Sequence, residues 1–214
     1  MKLPFLKKDV IVPTVISYIF HPLIMPTIGV WIIFNSGSIL SMINPMAQLK
    51  ILGIVFAMTF LFPALLLPIF VVLRWIGSIE ASERNERIFP IAITAIIYYF
   101  TFTFLKNQQV LLFIALFILA ISIVMILLMI VNFFSKVSLH MAGIGGIGGL
   151  TLYMSMVISP INGWFFVLSI LLAGIIAFAR LKLNEHKPAQ IFAGYFIGFL
   201  PVLTLFILVN ILIR

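Results

Sequence analysis

Long apolar runs separated by short polar punctuation make up most of the chain. Stretches of about 20 residues, the length a helix needs to cross a bilayer, fall at roughly 11–34, 50–75, 89–105, 110–134, 139–158, 163–180 and 188–212. The separators include Asn35-Ser36-Gly37-Ser38, Gly77 to Arg87, Lys106-Asn107-Gln108-Gln109, Ser135-Lys136, Ser159 to Gly163, and Leu181 to Lys187. Within each run the apolar residues are continuous and do not alternate as barrel strands do. The pattern predicts an all-α fold: a polytopic helical membrane bundle of six to seven transmembrane helices, one integral membrane domain over residues 1–214. The first run, Val10 to Phe34, outlasts a signal peptide's apolar region and meets no small-residue cleavage site, so it reads as a retained span.

Composition agrees with that pattern and removes other classes. The chain is 64% hydrophobic and 8% charged, against about 45–50% and about 25% for soluble domains. A soluble enzyme and a nucleic-acid binder are both excluded as readings. With no cysteine, thiolate metal sites and cysteine nucleophiles are excluded too. The +8 charge fits basic loops beside anionic headgroups.

Seven spans put ten of the thirteen basic residues on the side of the N-terminus and the even loops, leaving Lys50, Lys106 and Arg214 opposite. The positive-inside rule makes the ten-charge side cytoplasmic, and the expected setting is a bacterial cytoplasmic membrane. The fifth span carries Gly145 and Gly149 as GxxxG, extended by Ala142 and Gly146. Such a face lets helix backbones approach closely. Packing within the chain is the first expectation for it, and a homodimer seam or a lipid groove the alternative.

Charge near lipid is costly unless it reaches water or a partner, so its placement carries information. Four of the five carboxylates, Glu80, Glu83, Glu86 and Glu185, sit in two loops. Arg84, Arg87, Arg180 and His186 lie beside them. Lys136, Ser138 and His140 open the fifth span. An even number of spans separates these three clusters, so all emerge at one membrane face. Arginines there suit bidentate phosphate contacts, while salt-bridged helix ends and a basic loop are the structural alternatives. Ser138 fits a helix N-cap or, with Lys136 and the next backbone N–H groups, an anion cradle. His21, beside Pro22 in mid-span, reads as a packed histidine bonded to backbone.

The order of these clusters resembles the type 2 phosphatidic acid phosphatase superfamily, which includes the vanadium haloperoxidases. Its motifs are Lys-x6-Arg-Pro, Pro-Ser-Gly-His and Ser-Arg-x5-His-x3-Asp. The third corresponds to Ala179-Arg180, His186 and Gln190; the second to Val137-Ser138-Leu139-His140; the first to Arg87 with Pro90. The resemblance covers a core of about residues 80–200. It implies His186 as nucleophile, His140 as general acid, and Arg180, Arg87, Ser138, Lys136 and Arg84 around the phosphate, without metal or other cofactor. Gln190 replaces the aspartate that orients the nucleophile, Glu80 stands where the family has lysine, and Leu139 replaces glycine. Amide for carboxylate behind a catalytic histidine costs about 10⁴-fold in a serine protease. Family membrane members have six spans and a site facing away from the cytoplasm, whereas the charge bias here points inward.

The function so implied is hydrolysis of a lipid phosphomonoester or diphosphate, with phospholipids or an isoprenoid phosphate as partners. A catalytically silent relative that binds such a lipid is the first alternative. A small membrane transporter is the second, disfavoured because His21 is the sole ionisable residue deep in a span and no repeat is evident.

Overall fold

A computed structural model describes residues 8–77, 85–107, 112–158 and 163–213. Among these, every regular element is helical. Six helical stretches, Val10–Phe34, Pro45–Val72, Ile88–Lys106, Leu112–Asn132, Gly163–Lys182 and Pro188–Leu212, are long and apolar enough to cross a membrane. The protein is an integral membrane helical bundle.

The first two predicted spans are not single helices. The first divides into α1 (Lys8–Ile19), a 3-10 turn at Pro22–Ile24, and α2 (Met25–Phe34). Pro22 offers no N–H to continue α1 and forces His21 out of the helical region; His21 is extended, at φ −61 and ψ 136. Its Nδ1 accepts the Leu23 N–H at 3.3 Å, which caps the turn. The second comprises α3 (Pro45–Phe56), a π-turn at Ala57–Leu61 and α4 (Phe62–Val72). Pro63 leaves the Thr59 carbonyl without its usual i+4 donor, and the Tyr98 hydroxyl donates to it at 3.1 Å.

The remaining helices are α5 (Ile88–Lys106), α6 (Leu112–Asn132), α7 (Leu139–Val157), α8 (Gly163–Lys182) and α9 (Pro188–Ile213). The Ser122 hydroxyl on α6 donates to the Ala95 carbonyl on α5 at 2.9 Å. The fifth expected span, α7, has the length to cross a bilayer but is wrapped by its neighbours: most of its residues from Met141 to Met154 are buried. Protein rather than lipid surrounds it, so its many glycines need not supply hydrophobicity.

Those glycines fix how α7 meets α9. A Cβ at Gly145 would strike the Tyr195 carbonyl, one at Gly149 the Phe199 carbonyl, and one at Gly198 the Ala142 carbonyl. One at Gly194 would lie 2.6 Å from the Ser138 carbonyl. The two backbones are therefore in direct contact, a close approach that small residues on both helices permit. The Gly145/Gly149 face expected to serve helix packing or a dimer seam is taken up by α9 of the same chain.

Candidate functional site

Local structure brings the charged residues together at one end of the bundle. α8 ends in a Schellman turn: Glu185 N–H donates to the Arg180 carbonyl at 3.2 Å, with Asn184 in the left-handed region at φ 54. Asparagine tolerates that conformation, and the turn folds Glu185 and His186 back over Arg180. α9 then starts with Pro188 at its first position, where a missing N–H costs nothing. Gln190 stands at the third, its Oε1 accepting the Lys187 N–H at 3.0 Å, the reciprocal arm of a capping box. Across from it, Ser138 caps α7 by accepting the Met141 N–H at 3.4 Å, and its own N–H donates to the Gln190 carbonyl at 3.3 Å.

These turns surround a cavity of about 380 Å³ whose polar end is formed by Ser17, His21, Arg87, His140, Arg180, Glu185 and His186. Pro63, Phe70, Tyr98, Phe117 and Leu128 are among the side chains of its apolar part. Along α5 the lining runs from Arg87 to Tyr98, roughly 16 Å at 1.5 Å per residue. That depth is about one leaflet of the ~30 Å hydrocarbon core.

Within the polar end, Arg180 is the hub. Its Nη1 donates to Ser17 Oγ at 3.3 Å, and Nη2 lies 3.6 Å from Glu185 Oε2. The same carboxylate oxygen meets Lys136 Nζ at 3.5 Å. Arg180 Nε is buried and, among the described residues, has no hydrogen-bond partner; the same holds for His186 Nδ1. His140 Nε2 lies 3.1 Å from the Ser17 carbonyl. A carbonyl only accepts, so Nε2 carries the proton and Nδ1 is the second ring position. The His21 and His140 rings meet edge to face, 5.9 Å between centroids.

Burial pushes the His186 imidazole down to about 4, with Arg180, Arg87 and Lys136 adding to the effect and the Gln190 side chain opposing it. His186 is thus neutral near pH 7, its lone pair available to an electrophile or a proton. Burial likewise lowers Arg87, Glu185 opposing and Arg180 reinforcing that shift. Glu185 is the one carboxylate among the described lining residues, and it is already shared by two cations. The cavity's polar end is left with an excess of positive charge.

Of the residues singled out from the sequence, Arg87, Arg180, His140 and His186 share this cavity, whereas Lys136, Ser138 and Gln190 do not line it: Lys136 reaches it through Glu185 and Gln190 through His186. The Ser138 side chain is fully buried and used as a cap. Arg84 lies outside the described residues, as do Glu80 and Glu83. Glu86 turns away to accept the Gly77 N–H at 3.2 Å. Sequence reasoning missed Ser17, which holds both Arg180 and His140. Its signal is its position four residues before His21 and five before Pro22, where a helix about to break exposes its last carbonyls. No family model, curated protein or solved structure matches the chain.

Proposed function

We propose that the protein is a lipid phosphate phosphatase-like membrane protein that binds a phosphorylated headgroup at the polar end of this cavity and hydrolyses it. The observation that carries the reading is the pair of buried, unpartnered nitrogens, Arg180 Nε and His186 Nδ1, at one apolar-walled cavity. A buried guanidinium N–H without a partner is costly, and a phosphate oxygen is the acceptor that relieves it most strongly. The apolar walls accept the chain that such a headgroup carries.

In the reaction, the neutral His186 imidazole attacks phosphorus as the bond to the lipid oxygen breaks, and the leaving oxygen takes the Nδ1 proton of His140, which enters this step as the imidazolium with its Nε2–H kept on the Ser17 carbonyl. Water, deprotonated by His140, then cleaves the phosphohistidine and releases inorganic phosphate. Arg180 and Arg87 hold the equatorial oxygens as charge builds. The setting we infer is the bacterial cytoplasmic membrane, with this end of the bundle facing inward, on the ten-to-three division of basic residues.

A specific observation favours a second reading, a silent relative that only binds. The side chain hydrogen-bonded to His186 is that of Gln190, an uncharged amide that also accepts the Lys187 N–H, and the one carboxylate among the described lining residues, Glu185, is shared by Lys136 and Arg180, so no carboxylate there is free to stabilise a charged His186. Phosphate release by the purified full-length protein separates the two, with phosphatidic acid, phosphatidylglycerol phosphate and polyprenyl diphosphate as substrates. Release abolished by His186→Ala and by Arg180→Ala supports hydrolysis. No release, with lipid phosphate binding lost in Arg180→Ala but kept in His186→Ala, supports the binder. Binding that survives Arg180→Ala refutes both.

A further inference from the structure

A second cavity, of about 180 Å³, lies between α2, α7 and α8. Its walls are apolar: Phe20, Ile28, Ile32, Ile144, Phe165 and Leu172 are among them. The one hydroxyl there, on Ser169, is spent on the Phe166 carbonyl at 2.7 Å. Two side chains, Met25 and Ile147, line both this cavity and the one holding Arg180 and His186. Met25 is 2% exposed and seated against Gly143, where a Cβ would lie 2.7 Å from its Cγ. Any residue larger than glycine at 143 would displace it. Methionine is unbranched and readily changes rotamer, so of the two side chains in the partition Met25 is the movable one.

Resting on the headgroup reading above, we propose that the two cavities form one lipid-binding channel, with Met25 as the gate through which the hydrocarbon chain passes. The channel's far end is marked by Trp31 and Trp164, both half-exposed, the residue type that settles at membrane interfaces. Along α8, Arg180 and Trp164 are 16 residues apart, roughly 24 Å. One leaflet is about 15 Å deep. A chain held throughout therefore reaches past the bilayer midplane, a length that fits a long single chain. Apolar chains gain little by leaving lipid for an apolar groove, so position rather than affinity is the readout.

The test uses monoalkyl phosphates long enough to cover roughly 24 Å, with a photoreactive diazirine at the chain's end or beside the headgroup. Crosslinked sites are read by mass spectrometry on the full-length protein in nanodiscs. The chain-end probe is expected to label the groove-lining Ile28, Ile32, Phe165, Leu168 or Leu172. Met25→Trp should abolish that label and leave headgroup-proximal labelling intact. Leu168→Trp, which fills the groove from its half-buried side, should do the same should Met25→Trp not fold. Chain-end label spread over lipid-facing Val167 and Leu171, with headgroup-proximal label still displaced by inorganic phosphate, overturns the channel and spares the headgroup site. Headgroup-proximal label that phosphate does not displace and Arg180→Ala does not reduce removes the headgroup site, and the channel with it.

Discussion

Adding one methyl group at Gly198 puts the α7–α9 contact to a quantitative test. The new Cβ would overlap the Ala142 carbonyl and lie 2.9 Å from the Gly146 nitrogen. Both are backbone atoms inside a buried helix, so no side chain can swing aside and the helices must separate. Overpacking of this kind costs about 1–3 kcal/mol, and a backbone collision belongs in the upper half of that range. Alanine also raises helix propensity by about 1 kcal/mol over glycine, which would mask part of the loss. Gly174→Ala supplies the correction: it lies in α8 with nothing within 4 Å of its Cβ, so it takes the propensity gain alone. For a chain of this size 1 kcal/mol moves the midpoint by about 2–4 °C. Thermal unfolding at one heating rate in one detergent should then place Gly198→Ala roughly 4–12 °C below Gly174→Ala. Equal midpoints would refute the direct backbone contact, and with it the account of how α9 is seated against α7 beside the cavity.

Three further outcomes follow from the site. His186 should titrate near 4 in histidine-labelled NMR spectra, assigned by its loss in His186→Gln; because the folded value lies below the unfolded ~6.5, its contribution to stability is whole above that pH and is lost as pH falls toward 4. Titration near 6.5 would show an imidazole in water, away from the arginines. Ser17→Ala removes the Arg180 Nη1 acceptor and should weaken phosphate-lipid binding by about fivefold, the value of one ordinary hydrogen bond, while the His140 ring keeps its Nε2 proton because its partner is a backbone carbonyl. Gln190→Ala should lower unfolding stability by about 1 kcal/mol through loss of the α9 cap, whereas Gln190→Glu, which still reaches the Lys187 N–H, should hold it; equal losses in both would refute the capping role.

The helical bundle was legible because lipid leaves backbone polar groups few options, and unbroken apolar runs of spanning length admit one answer. The convergence of Arg87, His140, Arg180 and His186 was legible for a related reason: span parity puts loops two helices apart on the same face. Parity carries no information about depth or orientation. It could not show that Ser138 faces α9 while His140, two residues on, faces the cavity. Nor could it show that Gln190 would cap α9 as well as hydrogen-bond His186. Its place three residues after Lys187 and two after Pro188 fits a helix start as well as a catalytic spacing, and local capping was the shorter-range interaction. The Gly194/Gly198 pair on α9, the counterpart of Gly145/Gly149, is visible in the sequence, but the length of apolar chain around it hides which face of α9 meets α7.

Proline placement links the broken helices to the site. A proline in a membrane helix leaves a carbonyl that lipid cannot satisfy, so the fold must bring a donor from elsewhere. At Pro63 the freed Thr59 carbonyl takes the Tyr98 hydroxyl of α5, and Tyr98 becomes part of the cavity wall. At Pro22 the chain leaves α1 early, and the Ser17 carbonyl takes His140 of α7 across 123 residues of sequence. In a straight first span that carbonyl would accept its own His21 N–H, and His140 would lose the partner that fixes its tautomer. The break also lets the Ser17 side chain meet Arg180, so one interrupted turn orients a histidine and an arginine that the sequence holds 40 positions apart. Each hydrogen bond is worth about 1 kcal/mol net, too little to decide the fold of a bundle this apolar. The same bonds suffice to decide which way two side chains point, and so which polar groups face the cavity.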